Sequence, residues 1–207
     1  MNPNIMNIPK DYYQFSKNLY YIVVNKMSCI IALKTPKSII LGADKCAGIH
    51  ENLQVTIDNR KIFPMVRTAG WIGISGDCSS INILEGIFEE PEYCNDEDPY
   101  IYLIRDYVPE LKDCFEKNKI NPSDGMYGID IIIVMKNKFY HICSDLSVMD
   151  ANLEYLSVGS GSEYAMGSLY STQGMDPEER ILIALKSAEE FCPGVKGPFD
   201  IEIIPGT

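Results

Sequence analysis

This chain has no apolar stretch long enough to cross a membrane as a helix, no Cys-x-x-Cys pair, no Ser/Gly/Pro-rich linker and no excess of basic residues. Each absence removes a class of protein. Without a long apolar run there is no helical membrane span to place, and Met1-Asn2-Pro3-Asn4 lacks the basic and apolar regions of a secretory leader, so none is expected. A formal net charge of −11 and a pI near 4.6 set the protein against polyanions. Non-specific binding to nucleic acid or to an anionic membrane would be repelled, and neither is expected as a partner. The seven cysteines (Cys29, Cys46, Cys78, Cys94, Cys114, Cys143 and Cys192) are odd in number and scattered through apolar runs, the usage of reduced thiols in a cytoplasm. With only two histidines, His50 and His141, far apart in sequence, a metal centre is not expected.

What remains is a chain of 207 residues with 46% hydrophobic residues, enough for one substantial core, placed here in a domain after residue 27. Residues 1–27 stand apart as an extension whose aromatic runs, Asp11 to Phe15 and Leu19 to Val24, settle into no single period. Short β-rich runs follow at 28–34 and 38–44, then at 53–57, 60–63 and 71–75. Gly76-Asp77 turns the chain into a helix with Ile81, Leu84, Ile87 and Phe88 as its apolar stripe, capped by Asp77 or Ser79. A second helix carries Tyr100, Ile104, Tyr107, Leu111 and Cys114 on one face, with Pro109 expected to bend it. A hairpin at 129–135 and 138–143, turning at Lys136-Asn137, leads to a strand at 153–158, and Gly159-Ser160-Gly161-Ser162 opens another helix. The last helix begins Asp176-Pro177-Glu178-Glu179, buries Ile181, Ala184, Leu185, Ala188 and Phe191, and stops before Pro193-Gly194. A strand at 199–204 closes the chain. Strands, two helices, strands, two helices and a strand describe an α+β layered domain, two sheets packed together with helix pairs outside.

The first hairpin carries the chemistry. Reading Thr35-Pro36-Lys37 as a three-residue loop pairs Lys34 with Ser38, Ala32 with Ile40, Ile30 with Gly42 and Ser28 with Asp44. Directly opposite residues hold their Cβ atoms ~4.5–5.5 Å apart, so Ser28 and Asp44 are expected to face each other. A slip of one residue would undo that relation. Cys29, in the same register, would face away from Asp44.

Met27-Ser28-Cys29-Ile30-Ile31-Ala32-Leu33-Lys34, Gly42-Ala43-Asp44-Lys45, Arg60-Lys61-Ile62-Phe63, Gly73-Ile74-Ser75-Gly76 and Gly159-Ser160-Gly161-Ser162, with Ala165 and Gly167, resemble the ordered landmarks of proteasome β-type subunits, in the proteasome-like branch of the N-terminal nucleophile hydrolases. The resemblance spans residues 28 to about 204. It implies a four-layer αββα sandwich, a fold that agrees with the element order. Position by position, it places Ser28 at the family's N-terminal threonine and Asp44 at its catalytic aspartate. Lys61 falls on the lysine between them if one extra residue is allowed after Asp44; without that insertion Arg60 takes the place, and the basic-basic-apolar-aromatic pattern favours Lys61. Gly76 matches the oxyanion-hole glycine and Ser160 the serine beside the nucleophile's amine. Ala47, Ile74 and Cys78 would shape the substrate pocket. The chain also departs from the family. Serine stands for threonine and Met27 for the glycine before the cut. The aspartate that supports the serine would fall near Phe191-Cys192 and is missing, as in simpler bacterial members.

The implied mechanism needs Ser28 to be first in its chain. An α-amino group with a pKa of ~7.7–8.0 takes a hydroxyl proton near neutrality, whereas a normal lysine at ~10.4 does not. Ser28 would then attack a peptide carbonyl, with Lys61 lowering the effective pKa of Oγ and Asp44 neutralising the lysine. The scheme calls for no cofactor. Processing, or a start at Met27 followed by methionine removal, would expose Ser28. The resemblance implies polypeptide substrates, a homo- or hetero-oligomeric ring and an ATP-dependent unfoldase partner. A non-catalytic ring subunit that never frees Ser28, and a small-molecule amidase on the same fold, are the competing readings.

Overall fold

The computed structural model describes residues 27–49, 53–150 and 152–206. The extension before Met27 and His50 lie outside the described residues. Two sheets form the centre. The first has the order β10-β1-β2-β11, from Tyr155–Val158, Ile30–Lys34, Ser38–Asp44 and Phe199–Pro205. The second has the order β5-β6-β7-β8-β9, from Ile62–Pro64, Trp71–Ser75, Asp130–Met135, Lys138–Ile142 and Val148–Met149. A separate two-stranded ribbon joins β3 (Cys46–Ile49) to β4 (Leu53–Thr56) beside the site.

Three buried clusters show how these pieces stack. Ile30, Ala32, Leu41, Ile62, Ile132 and Phe139 pack between the two sheets. Cys29, Ile31, Leu33 and Ile40 turn outward onto α4 (Ser162–Ser171) and α5 (Pro177–Phe191), meeting Ala165, Leu169, Ile181 and Leu185. Ile72, Ile74, Ile131 and Ile133 turn the other way onto α1 (Cys78–Gly86), α2 (Pro99–Tyr102) and α3 (Val108–Lys117). The result is a four-layer αββα sandwich. It also explains why β1 and β7 read as unbroken apolar runs: each lies inside a sheet covered on both faces, so neither set of side chains meets water.

Local chemistry explains where the sequence-based expectations fail. The first hairpin closes one residue earlier than counted. Thr35 N–H donates to Ser38 O at 2.8 Å, and the Thr35 hydroxyl accepts from the N–H groups of Lys37 and Ser38, so only Pro36-Lys37 lies in the loop. The register is therefore Lys34 with Ile39, Ala32 with Leu41 and Ile30 with Ala43. One step further sets Cys29, and not Ser28, across from Asp44, whose N–H donates to Cys29 O at 3.3 Å. The expected Ser28–Asp44 cross-strand pairing does not form.

The second helix is also rephased. A π-helical turn, Leu103–Tyr107, separates α2 from α3, and the N–H of Val108 reaches back to Leu103 O. Pro109 has no N–H to offer the carbonyl of Arg105 and its ring crowds that carbonyl, so the chain widens just before it. The extra residue rotates the buried face: Tyr102, Leu103, Tyr107, Leu111 and Phe115 are buried, while Ile104 is exposed. Ile87 and Phe191, both expected inside, end their helices 54% and 64% exposed. The Lys136-Asn137 turn forms as read, both residues adopting the positive φ of a type I′ hairpin. Among the described residues no helix is long and apolar enough to cross a membrane.

Candidate active site

Ser28 lies two residues before β1 and is fully buried. Its carbonyl is held by the N–H of Gly161 at 3.1 Å. Its N–H donates to Ser160 Oγ at 3.3 Å, and the Ser160 hydroxyl donates back to Ser28 O at 3.4 Å. The close approach that allows this falls at Gly159, where φ is +94° and a Cβ would stand 2.4 Å from Ser28 O. Any other residue there would force the β10–α4 turn away from Ser28. The same absent Cβ would stand 2.7 Å from Ser75 Oγ, which brings the end of β6 beside this turn; Gly76, the next residue, packs against Gly128 and Ile129.

Asp44 ends β2, the strand paired with β1, and reaches the site by its side chain. Oδ1 accepts from Cys29 N–H at 2.7 Å, and Oδ2 accepts from Cys46 N–H at 2.8 Å and from Lys61 Nζ at 3.0 Å. The carboxylate thus ties the main chain just ahead of β1 to the start of β3. Lys61 sits at the head of β5 with its carbonyl held by Ile74 N–H at 2.9 Å, which makes the pair a bridge between the two sheets. Both groups are at most 2% exposed. Burial raises the Asp44 carboxyl above the usual carboxylate range; Lys61 and the two backbone donors oppose it. Arg60, by contrast, is exposed, so of the two basic neighbours Lys61 is the one the fold brings in.

Lys61 has three protons and three acceptors: Asp44 Oδ2, Cys46 O at 2.7 Å and Met27 O at 3.5 Å. Met27 O also accepts from the Ser28 hydroxyl. The peptide bond between Met27 and Ser28 therefore has its carbonyl oxygen facing both an ammonium and the candidate nucleophile. Cys29 offers no rival. It lies across from Asp44 rather than facing away from it, but its thiol is buried among the α4 and α5 residues and pushed up to about 12, chiefly by burial.

Of the three residues assigned to a pocket, Ala47 is nearly buried on β3, Cys78 is exposed at the start of α1, and Ile74 has no exposed surface and belongs to the core under α1 to α3. The three do not line one open cleft. A surface cavity of about 500 Å3 lies elsewhere, lined by Lys112, Tyr127 and Leu146 among others, none of them a site residue. His141 pairs with Asp130 at 3.0 Å within the second sheet. Among the described residues no group of three or more His, Cys, Asp or Glu could hold a metal ion.

The contact of Gly194 was not read from the sequence, and Cys192 was read only as the place where a supporting aspartate is missing. The turn after α5 folds over the site: Gly194 lies so close that a Cβ there would be 2.8 Å from Ser160 Oγ and 3.0 Å from Met27 Cγ. Beside it, the Cys192 thiol donates to Ser160 Oγ at 3.3 Å. Pro193-Gly194 was legible only as a helix stop.

A serine at the head of an inner strand of an αββα sandwich, with a buried lysine–aspartate pair bridging the sheets beneath it, places this chain in the proteasome-like N-terminal nucleophile hydrolase fold. Solved structures bear out that fold. BPH from Thiobacillus denitrificans, solved in complex with epoxomicin, superposes with a TM-score of 0.72 at 17% identity, over 86% of this chain and 99% of that one. HslV from Trypanosoma brucei gives 0.60 at 14% identity over 86% and 99%, and Anbu (ancestral beta-subunit) from Yersinia bercovieri 0.67 at 12% over 86% and 81%. No protein-family model and no curated protein matches the sequence.

Proposed function

We propose that this chain is the peptidase subunit of a self-compartmentalised, proteasome-like protease, with residues 1–27 as a propeptide and Ser28 as the nucleophile freed by its removal. The observation that carries this reading is the Met27–Ser28 bond itself, whose carbonyl oxygen accepts from Lys61 Nζ and from the Ser28 hydroxyl. In self-cleavage the Ser28 Oγ bonds to the Met27 carbonyl carbon, the C–N bond breaks, and the hydroxyl proton ends on the nitrogen. Water then splits the ester, leaving a carboxylate on Met27, a restored hydroxyl and a free amine on Ser28. Cleavage also removes the weakest of the three Lys61 acceptors, and the freed N–H can turn to Ser28 Oγ. In each later turnover the amine takes the Oγ proton, Oγ attacks the substrate carbonyl, the Gly76 N–H receives the oxyanion, and the amine protonates the leaving nitrogen before water releases the acyl group.

The substrates are polypeptides, and the working form is a closed oligomer fed by an ATP-dependent unfoldase. The fold likeness to HslV and to Anbu, the latter solved as a helical assembly in Pseudomonas aeruginosa, supports an assembling subunit. Intact mass of the particle from its native host tests the reading. Residues 1–27 should be lost, epoxomicin should bind, and an electrophilic probe of N-terminal nucleophiles should label the new terminus, whereas Ser28→Ala should stay full-length and unlabelled. A wild-type particle that keeps all 207 residues and resists the probe would instead establish the non-catalytic subunit, the reading favoured by the complete burial of Ser28.

A further inference from the structure

Resting on that reading, we infer that Cys192 is a positioning residue whose thiol fixes the Ser160 hydroxyl as an uncharged acceptor for the nitrogen of Ser28. The hydroxyl has one proton and two lone pairs, and the structure occupies all three. The proton goes to Ser28 O, one lone pair takes the Ser28 N–H, and the other takes the Cys192 S–H. A donor at position 192 is what allows this. If an acceptor stood there, the Ser160 proton would turn towards it and abandon Ser28 O.

The thiol is held in place for this task. Cys192 caps α5, its N–H donating to Ala188 O at 2.8 Å, and its carbonyl takes the Val195 N–H at 3.1 Å, so the turn is closed on both sides of the sulfur. Gly194 then carries the chain past Ser160 with no room for a side chain. Two segments far apart in sequence are thereby locked to the same hydroxyl.

The consequence is electrostatic. The nitrogen of Ser28 must be a neutral amine to accept a proton from Oγ, and any negative charge nearby favours the ammonium instead. A thiol donor orients Ser160 without adding charge, so the amine is free for catalysis at lower pH than it would be beside a carboxylate. Lys61 pushes in the same direction from the other side.

Two readouts on the full chain test this. The S–H stretching band of Cys192, isolated as the infrared difference between wild type and Cys192→Ser, should move towards the free-thiol position in Ser160→Ala; an unmoved band overturns the contact. This arm is read equally on unprocessed protein, so a failure of self-cleavage, which would sink the peptidase reading, is distinguishable from a failure of the positioning role. On the processed particle, Cys192→Ala should lower kcat/KM about three- to tenfold, the worth of one hydrogen bond, and Cys192→Ser, which keeps a donor, should recover most of that loss. Cys192→Asp should move the acid limb of the kcat/KM profile up by about one pH unit. Acid limbs that coincide for the aspartate, serine and wild-type enzymes would overturn the electrostatic role. If the aspartate variant does not fold, an alanine variant as active as wild type would do the same.

Discussion

Asp44 and Lys61 show how much a single residue depends on its partner. Each is buried beyond the reach of water, and each supplies the charge that makes the other tolerable. Lys61→Met or Asp44→Asn alone should cost about 3–5 kcal/mol in urea unfolding, because one charge is left without its counter-ion. The double variant should recover most of that loss while its mass stays that of the uncleaved chain. Additive losses in the double variant would mean that the two groups are not coupled. Ser28, Asp44, Lys61 and Ser160 were legible in the sequence as a set, through their order along the chain. Which atom meets which was not. Counting placed Asp44 opposite Ser28, whereas the carboxylate holds the backbone N–H groups of Cys29 and Cys46 and pairs with Lys61, which in turn faces the Met27 carbonyl beside the Ser28 hydroxyl.

At the scale of elements, α1 begins directly after Gly76-Asp77. Asp77 caps it, accepting from the N–H groups of Ser79 and Ser80 at 2.9 and 3.0 Å and from both hydroxyls. Burial alone would raise this carboxyl, yet those hydrogen bonds hold it below the usual carboxylate value. A depressed pKa adds stability that is present above the unfolded value of ~3.9 and lost as the pH falls through the folded one. Asp77→Ala should therefore cost about 1–2 kcal/mol at pH 7. The gap between variant and wild type should close below pH 4; a gap unchanged between pH 7 and pH 3 would contradict the assignment. The cap was readable because Gly-Asp before an apolar-periodic run is a local signal. The hairpin register and the π-helical turn were not, for a shared reason. Thr35-Pro36-Lys37 fits a two- or a three-residue loop equally well, and Pro109 announces a distortion without saying whether the helix bends or gains a residue. Both are settled by hydrogen bonds and packing that sequence spacing does not contain.

For the molecule as a whole, the sandwich buries proton-bearing groups in its layers, and that limits it at alkaline pH. The Cys29 thiol is pushed up to about 12 by burial, Cys46 and Cys114 are raised by the same cause, and the phenols of Tyr102, Tyr107 and Tyr140 are raised above their ordinary value as well. The unfolded chain releases a thiol proton from about pH 8.5 upward while the folded chain keeps it, so this stability is complete below that pH and is lost as the pH rises. For Cys29, whose folded value lies well above the unfolded one, the loss steepens by up to about 1.4 kcal/mol per pH unit. Cys29→Ala should remove one group's share between pH 9 and pH 10, before the phenols contribute, measured as the change of unfolding free energy with pH. An unaltered slope would place the thiol's proton affinity near that of an ordinary cysteine. Met27 leaves a last mark on the architecture. A Cβ on Gly194 would stand 3.0 Å from Met27 Cγ and 3.1 Å from its Cα, so the turn closes on main chain and side chain alike. On the proposed reading, the segment ahead of Ser28 is the first polypeptide this seat holds, and its release is what opens the seat to another.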